Sequence, residues 1–242
     1  MLGYPDAALA DVDDALKQAR EIGQAAALMF ALFEAAFTNN FCGNYAASSA
    51  QADELVALAD EKAAFYWKAS GMFSQGLMLA LKGKYEDAVQ VITARINARR
   101  AIGGTSWTPL FLSYLASSHA ALGHFDDSWR CLHEALVGVE ATKERWFEAE
   151  IRRIAGEIAM MAPEPDAAKA QAYLEHALAI ARQQQAKSWE LRSAMSMSRL
   201  WCDQGKRQQA HDLLAPVYGW FTEGFDTLDL KEAKALLEQL KA

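Results

Sequence analysis

Lys82-Gly83-Lys84-Tyr85-Glu86-Asp87-Ala88 and Leu122-Gly123-His124-Phe125-Asp126-Asp127-Ser128 lie forty residues apart and share one pattern. A glycine is followed by an aromatic two places on and by a small residue five places on. Gly3 and Gly43 extend the series at the same spacing, and Gly205 falls two periods of forty-one after Gly123. Ala8, Ser48, Ala88, Ser128 and Ala210 then form an all-small column, and Val12, Ala52, Ile92, Leu132 and Leu214, nine after each glycine, an apolar one. Seven before the last four glycines stand Ala36, Gly76, Ala116 and Ser198, again small. Fixed-period agreement across several columns is the signature of a repeat architecture. Its physical reading is a helix, a glycine turn and an antiparallel second helix, with small residues where the two backbones come closest.

Composition agrees. The chain of 242 residues has 48 Ala but only 22 Val, Ile and Thr together, which disfavours strands, and 5 Pro and 14 Gly leave room for long helices. The pattern places helices at 5–22, 24–40, 44–60, 64–81, 84–101, 106–121, 124–140, 144–161, 166–184, 187–203, 206–220 and 227–241. No marker glycine stands near 163, where Pro163 and Pro165 make the turn instead. The expected fold is all-α: a right-handed α-solenoid of hairpins with a period of about 40 residues. It forms a single domain over 1–242, with a half-repeat at 1–22, hairpins at 23–62, 63–102, 103–142, 143–185 and 186–221, and a capping helix at 222–242. Thr227 is the expected N-cap of that last helix.

The glycine–aromatic–small columns resemble the tetratricopeptide repeat, whose unit is usually 34 residues. Glu144-Arg145-Trp146-Phe147-Glu148-Ala149-Glu150, Gln185 to Ala194 and Tyr218 to Thr227 further resemble the C-terminal helical region of bacterial multidomain signalling proteins. In those proteins a class III nucleotide cyclase or DNA-binding domain precedes a STAND-type ATPase and then tetratricopeptide-like repeats. The likeness covers residues 140–242 well and the earlier repeats in pattern only. It implies a regulatory or sensor segment, since this chain carries neither cyclase nor ATPase motifs. The opening at Leu2-Gly3-Tyr4-Pro5 reads as an interrupted hairpin, with an upstream helix or a second copy of the chain expected to cover the face it leaves bare.

The formal charge of −7 supplies no excess of cations for nucleic acid or anionic lipid, so neither is expected as a partner. The longest apolar stretch, Ala25 to Phe33, is too short to span a bilayer. Cys42, Cys131 and Cys202, odd in number and far apart, read as reduced thiols of a cytoplasmic protein. No phosphate-binding loop, H-E-x-x-H or G-x-S-x-G occurs, and no catalytic, cofactor-binding or metal residue is expected. Recognition is expected on the first helix of each pair. Counting six before, three before and one after the small residue of that helix gives Phe30, Phe33 and Phe37; Phe73 and Leu77; Leu110, Ser113 and Ser117. With Gly156 as the equivalent small residue the count continues to Glu150, Arg153 and Glu157, then Arg192, Met195 and Arg199. The aromatic end suits an apolar anchor, or is an ordinary buried helix face. The charged end suits an anion between arginines, or is a solvated ladder. Trp67, Trp107 and Trp189, at one repeat offset, read as packing at junctions between repeats. The expected function is a non-catalytic module that binds a peptide, or its parent protein's ATPase or output domain, in the groove. The alternative is a small-molecule sensor.

Overall fold

The computed structural model describes residues 1–101 and 103–241, so the expected boundaries at Ile102 and Ala242 lie outside the described residues. Twelve helices occur among them: α1 (Pro5–Ile22), α2 (Ala25–Phe41), α3 (Tyr45–Glu61), α4 (Phe65–Leu81), α5 (Tyr85–Ala101), α6 (Thr108–Ala121), α7 (Phe125–Thr142), α8 (Glu148–Met161), α9 (Ala167–Gln183), α10 (Lys187–Asp203), α11 (Arg207–Tyr218) and α12 (Leu228–Lys241). No strand is present among the described residues. The all-α helical-repeat fold is as expected, with helix limits displaced by a few residues. Met1–Tyr4 belongs to the compact unit that resumes at Thr105, and Pro5–Gly104 forms a second.

Within each unit every helix packs on its neighbour in sequence. Close backbone approach between alternate helices is one-sided. Helix α2 touches α4 in one unit, and α6, α8, α10 and α12 form a touching row in the other. The second helices of successive hairpins meet through side chains alone: the Trp129 ring of α7 stacks on Tyr173 of α9 at 6.0 Å, while their backbones stay apart, so the first helix of each hairpin lines the inner side of its stack.

The marker glycines end helices as the spacing requires. After α6, Gly123 has φ +79°; its N–H donates to the Ala120 carbonyl at 2.9 Å, and the His124 N–H reaches back to the His119 carbonyl at 2.9 Å. This reverse turn satisfies the last carbonyls of the helix and needs a left-handed residue. The small columns then face each other. Ser48, Ala88, Ser128 and Ala210 are fully buried. The Ser48 hydroxyl donates to the Ala36 carbonyl and that of Ser128 to the Ala116 carbonyl, both at 2.8 Å, and the Ser198 hydroxyl donates to the Ala210 carbonyl at 3.0 Å. A hydroxyl can span between backbones only where they approach closely, so the columns mark the seam of each hairpin. Beside it, Leu55, Ile92, Leu132 and Leu214 are wholly removed from water, each worth about 1.5–3 kcal/mol of transfer free energy.

Two local details stand out. Thr227 does precede α12, but its hydroxyl turns back to the Gly224 carbonyl instead of capping the helix. Gly3 closes no helical hairpin; it packs against Trp220 and Lys187.

Candidate functional site

In the unit Pro5–Gly104, α2 and α4 carry a line of rings. Phe30 meets Trp67 edge-on at 6.0 Å, Phe33 lies 6.2 Å from the same indole, and Tyr66 packs on it at 5.1 Å. Phe33 continues to Phe37 at 6.2 Å and Phe37 to Phe41 at 4.5 Å. The line runs from inside to outside. Phe37 is buried, Phe33 and Trp67 are half-buried, and Phe30 is 55% exposed. Tyr66 is also exposed, with the Arg99 guanidinium 5.6 Å from its ring. Such a contiguous aromatic surface is uncommon on a solvated face.

In the other unit the inner face is ionic. Glu150 on α8 is 1% exposed, and both its oxygens are bound: Arg153 Nε to Oε2 at 2.7 Å, Arg153 Nη2 to Oε1 at 2.8 Å, and Arg192 Nη1 to Oε1 at 3.3 Å. Arg153 also pairs with Glu157 and donates to the Ser196 hydroxyl at 3.3 Å, while that hydroxyl donates to Glu157 at 2.8 Å. Arg192 Nε holds Asp229 of α12 at 2.6 Å, so one guanidinium on α10 links α8 to α12. Burial by itself would raise the Glu150 carboxyl, but Arg153 and Arg192 outweigh it and hold it below the usual carboxylate range. Burial likewise opposes the charge on Arg192, and Asp229 and Glu150 more than restore it. Arg199, exposed, pairs with Glu232 at 2.9 Å.

The transferred groove residues therefore separate into two groups. Phe30 and Arg199 are exposed, and Phe33, Ser117, Arg153, Glu157 and Arg192 are partly so. Phe37, Phe73, Leu77, Leu110, Ser113, Glu150 and Met195 are buried. The inner helices touch one another, which covers much of the flank that counting assigned to an open groove. At the charged end Glu150, Arg153 and Glu157 pair along α8 as the ladder read from sequence, but the ladder is largely out of water. Glu150 is not solvated, and Arg153, Arg192 and Arg199 are each committed to a carboxylate, so an added anion would have to displace one.

The tryptophan column packs between repeats. Trp107 meets Trp146 at 5.1 Å, Trp146 meets Phe147 at 5.2 Å, and Phe147 meets Trp189 at 5.3 Å. Trp189, fully buried, donates its indole N–H to the Trp146 carbonyl at 3.1 Å.

One feature escaped the sequence analysis. Arg95 and Arg99 are buried on α5, one helical turn apart, in the stripe of Ala88, Ile92 and Ile96. Burial, then the Arg99 charge, lowers Arg95 to about 10. The signal was available as two arginines at apolar-stripe positions. His119 and His124, which flank the end of α6 and were read from sequence as ordinary core or surface histidines, gather with Asp127 at the α6–α7 turn, their ligand atoms within 4.8 Å of one another. That trio could present two imidazoles and a carboxylate to a divalent ion; Asp127 is meanwhile paired with Arg130 at 2.6 Å.

A cavity of about 150 Å³ between α8 and α10, rimmed by Glu157, Ser196, Arg199 and Asp203, adjoins the ionic network. A wider, open depression of about 560 Å³ lies among Gln171, Trp201, Lys206 and Asp212. No helix among the described residues is long and apolar enough to cross a membrane. The sequence matches no protein-family model and no curated protein.

Proposed function

We propose that this chain is a non-catalytic interaction module of a bacterial, cytoplasmic signalling protein, with tetratricopeptide-like hairpins presenting an inner face to a peptide or to the parent protein's own ATPase or output domain. The observation that carries this reading is the exposed ring surface of Phe30 and Tyr66, seated on the half-buried Trp67 and Phe33. A rigid aromatic anchor on a helix inside a repeat stack suits an apolar side chain of a partner segment. The likeness of residues 140–242 to regulatory helical regions supports the signalling context.

The test is selection of peptides from a random display library against the intact chain, followed by titration with the Phe30→Ala and Phe30→Ala/Tyr66→Ala variants. Selected peptides should carry an aromatic or leucine anchor and lose at least tenfold in affinity to the double variant while its thermal midpoint holds. Ligands that bind both proteins equally would remove the reading. The small-molecule alternative is favoured less. The cavity beside the ionic network falls below the roughly 300–1,000 Å³ of ordinary ligand pockets, and the larger depression is open. It predicts a metabolite that raises the thermal midpoint in proportion to concentration over affinity.

A further inference from the structure

Met1–Tyr4 is a non-helical segment laid across the first turn of α10 and the ring of Trp220. The Ser188 N–H, one of the donors that a helix start leaves without an intrahelical acceptor, donates to the Met1 carbonyl at 3.0 Å. Gly3 is buried with φ +100°, and a Cβ there would fall 2.5 Å from Cζ3 of Trp220 and 2.8 Å from Cβ of Lys187. Glycine is thus required twice, by backbone conformation and by space. One residue on, the Tyr4 ring meets the Trp220 indole edge-on at 5.6 Å, and the Lys187 ammonium sits 5.3 Å from the centre of that indole. Lys187 and Arg182 are held in place by Glu190, at 2.7 and 2.9 Å.

The grip is specific but slight. Met1, Leu2 and Tyr4 each keep about half their surface in water, and an open cavity of about 420 Å³ continues beside them, bounded by Arg182, Gln185, Lys187 and Trp220. A segment whose large side chains are half in solvent opens at little cost.

We propose that the cleft between Lys187 and Trp220 is a recognition site for an extended peptide of apolar–glycine–aromatic sequence, occupied in cis by Met1–Tyr4 and yielding to a segment of the same chemistry from a partner. The recognition elements are those of peptide docking: a main-chain donor that sets register, a glycine that lets the backbone pass against an indole, and an aromatic side chain that packs on its edge. The site uses different residues from the Phe30 surface, so the two proposals stand or fall separately.

The experiment is fluorescence anisotropy with a labelled synthetic peptide of residues 1–6, Met-Leu-Gly-Tyr-Pro-Asp, titrated with the full-length chain. Gly3→Val in the protein expels its own segment and should tighten binding of the free peptide at least tenfold over wild type. Adding Trp220→Ala should abolish that gain, and a peptide carrying valine at the glycine position should not bind. Tyr4→Ala, which removes only the ring on Trp220, should give a smaller gain in the same direction and serves if Gly3→Val perturbs folding. Equal affinity for wild type and both vacated variants, no binding to any of them, or binding that survives Trp220→Ala would each overturn the proposal.

Discussion

Six residues before the small residue of their inner helices, α2 carries Phe30 while α8 and α10 carry Glu150 and Arg192. One repeat position thus holds an exposed ring in the unit Pro5–Gly104 and members of an ion network in the unit that resumes at Thr105. The backbone around both is alike, with glycine turns and small residues in the hairpin seam. The difference lies in what a side chain at that position finds opposite it. Glu150 is enclosed between Arg153 of its own helix and Arg192 of the next inner helix, so its charge is paired out of water. Phe30 meets the edge of Trp67 and keeps half its surface open. A repeat scaffold therefore sets where a side chain stands, and the neighbouring repeat decides whether it holds the stack together or meets a partner.

The sharpest way to break this contrast is to remove one member of each set. Arg192→Met leaves Glu150 and Asp229 short of a cation and should cost about 3–5 kcal/mol, the usual penalty for leaving a buried charge uncompensated. Phe30→Ala should leave chemical denaturation almost unchanged. Equal losses for the two would show that Phe30 also serves stability. The shared seam supplies a control of intermediate size. A Cβ on Gly156 would lie 2.8 Å from Cγ of Leu174 and one on Gly76 2.9 Å from Cγ1 of Ile92. Gly156→Ala and Gly76→Ala should each cost about 1–3 kcal/mol by overpacking, a similar loss in both units, measured by urea unfolding.

The smallest effect concerns acid. Because the Glu150 carboxyl is held low in the folded chain, its contribution is complete above the unfolded carboxylate value, about 4.3, and is lost as pH falls through the lower folded value. Glu190, where Lys187 and Arg182 outweigh burial, behaves in the same way. Glu34 in the other unit is raised by burial, so acidification through its folded value favours the native state there. Hydrogen exchange followed by mass spectrometry below pH 5 should show α8 and α10 losing protection before α2. The opposite order would sink the comparison.

Much of the architecture was legible because two of its causes are local. Glycine at a left-handed helix end and a small residue at a backbone crossing are chemical necessities, and both recur at forty-residue spacing. Where the necessity was met by another residue the signal vanished. In the turns between hairpins, where Gly23 and Gly103 are left-handed, Ala63 and Gln185 take the same conformation with φ +51° and +54° and carry no glycine to announce it. The candidate site was less legible for a different reason. Counting along one helix predicts which side chains share a face, and it located Phe30, Glu157 and Arg199 on accessible surface, yet it placed Phe73, Leu110 and Met195 on the same face although adjacent helices enclose them. The buried arginines of α5 went unread because charged residues are ordinarily assigned to water.

The order of residues alone determined that this chain is a succession of antiparallel helical pairs, where those helices turn, and which positions form their seams, because helix ends and close backbone approaches depend on residues near in sequence. Only the packing of one pair on the next decided that Glu150, Arg153, Arg192 and Asp229 form a single network, that Phe30 stays open, and that Gly3 lies under Trp220. Those outcomes depend on partners 37 to 217 residues away in the chain, where desolvation and charge pairing are settled by what is brought alongside.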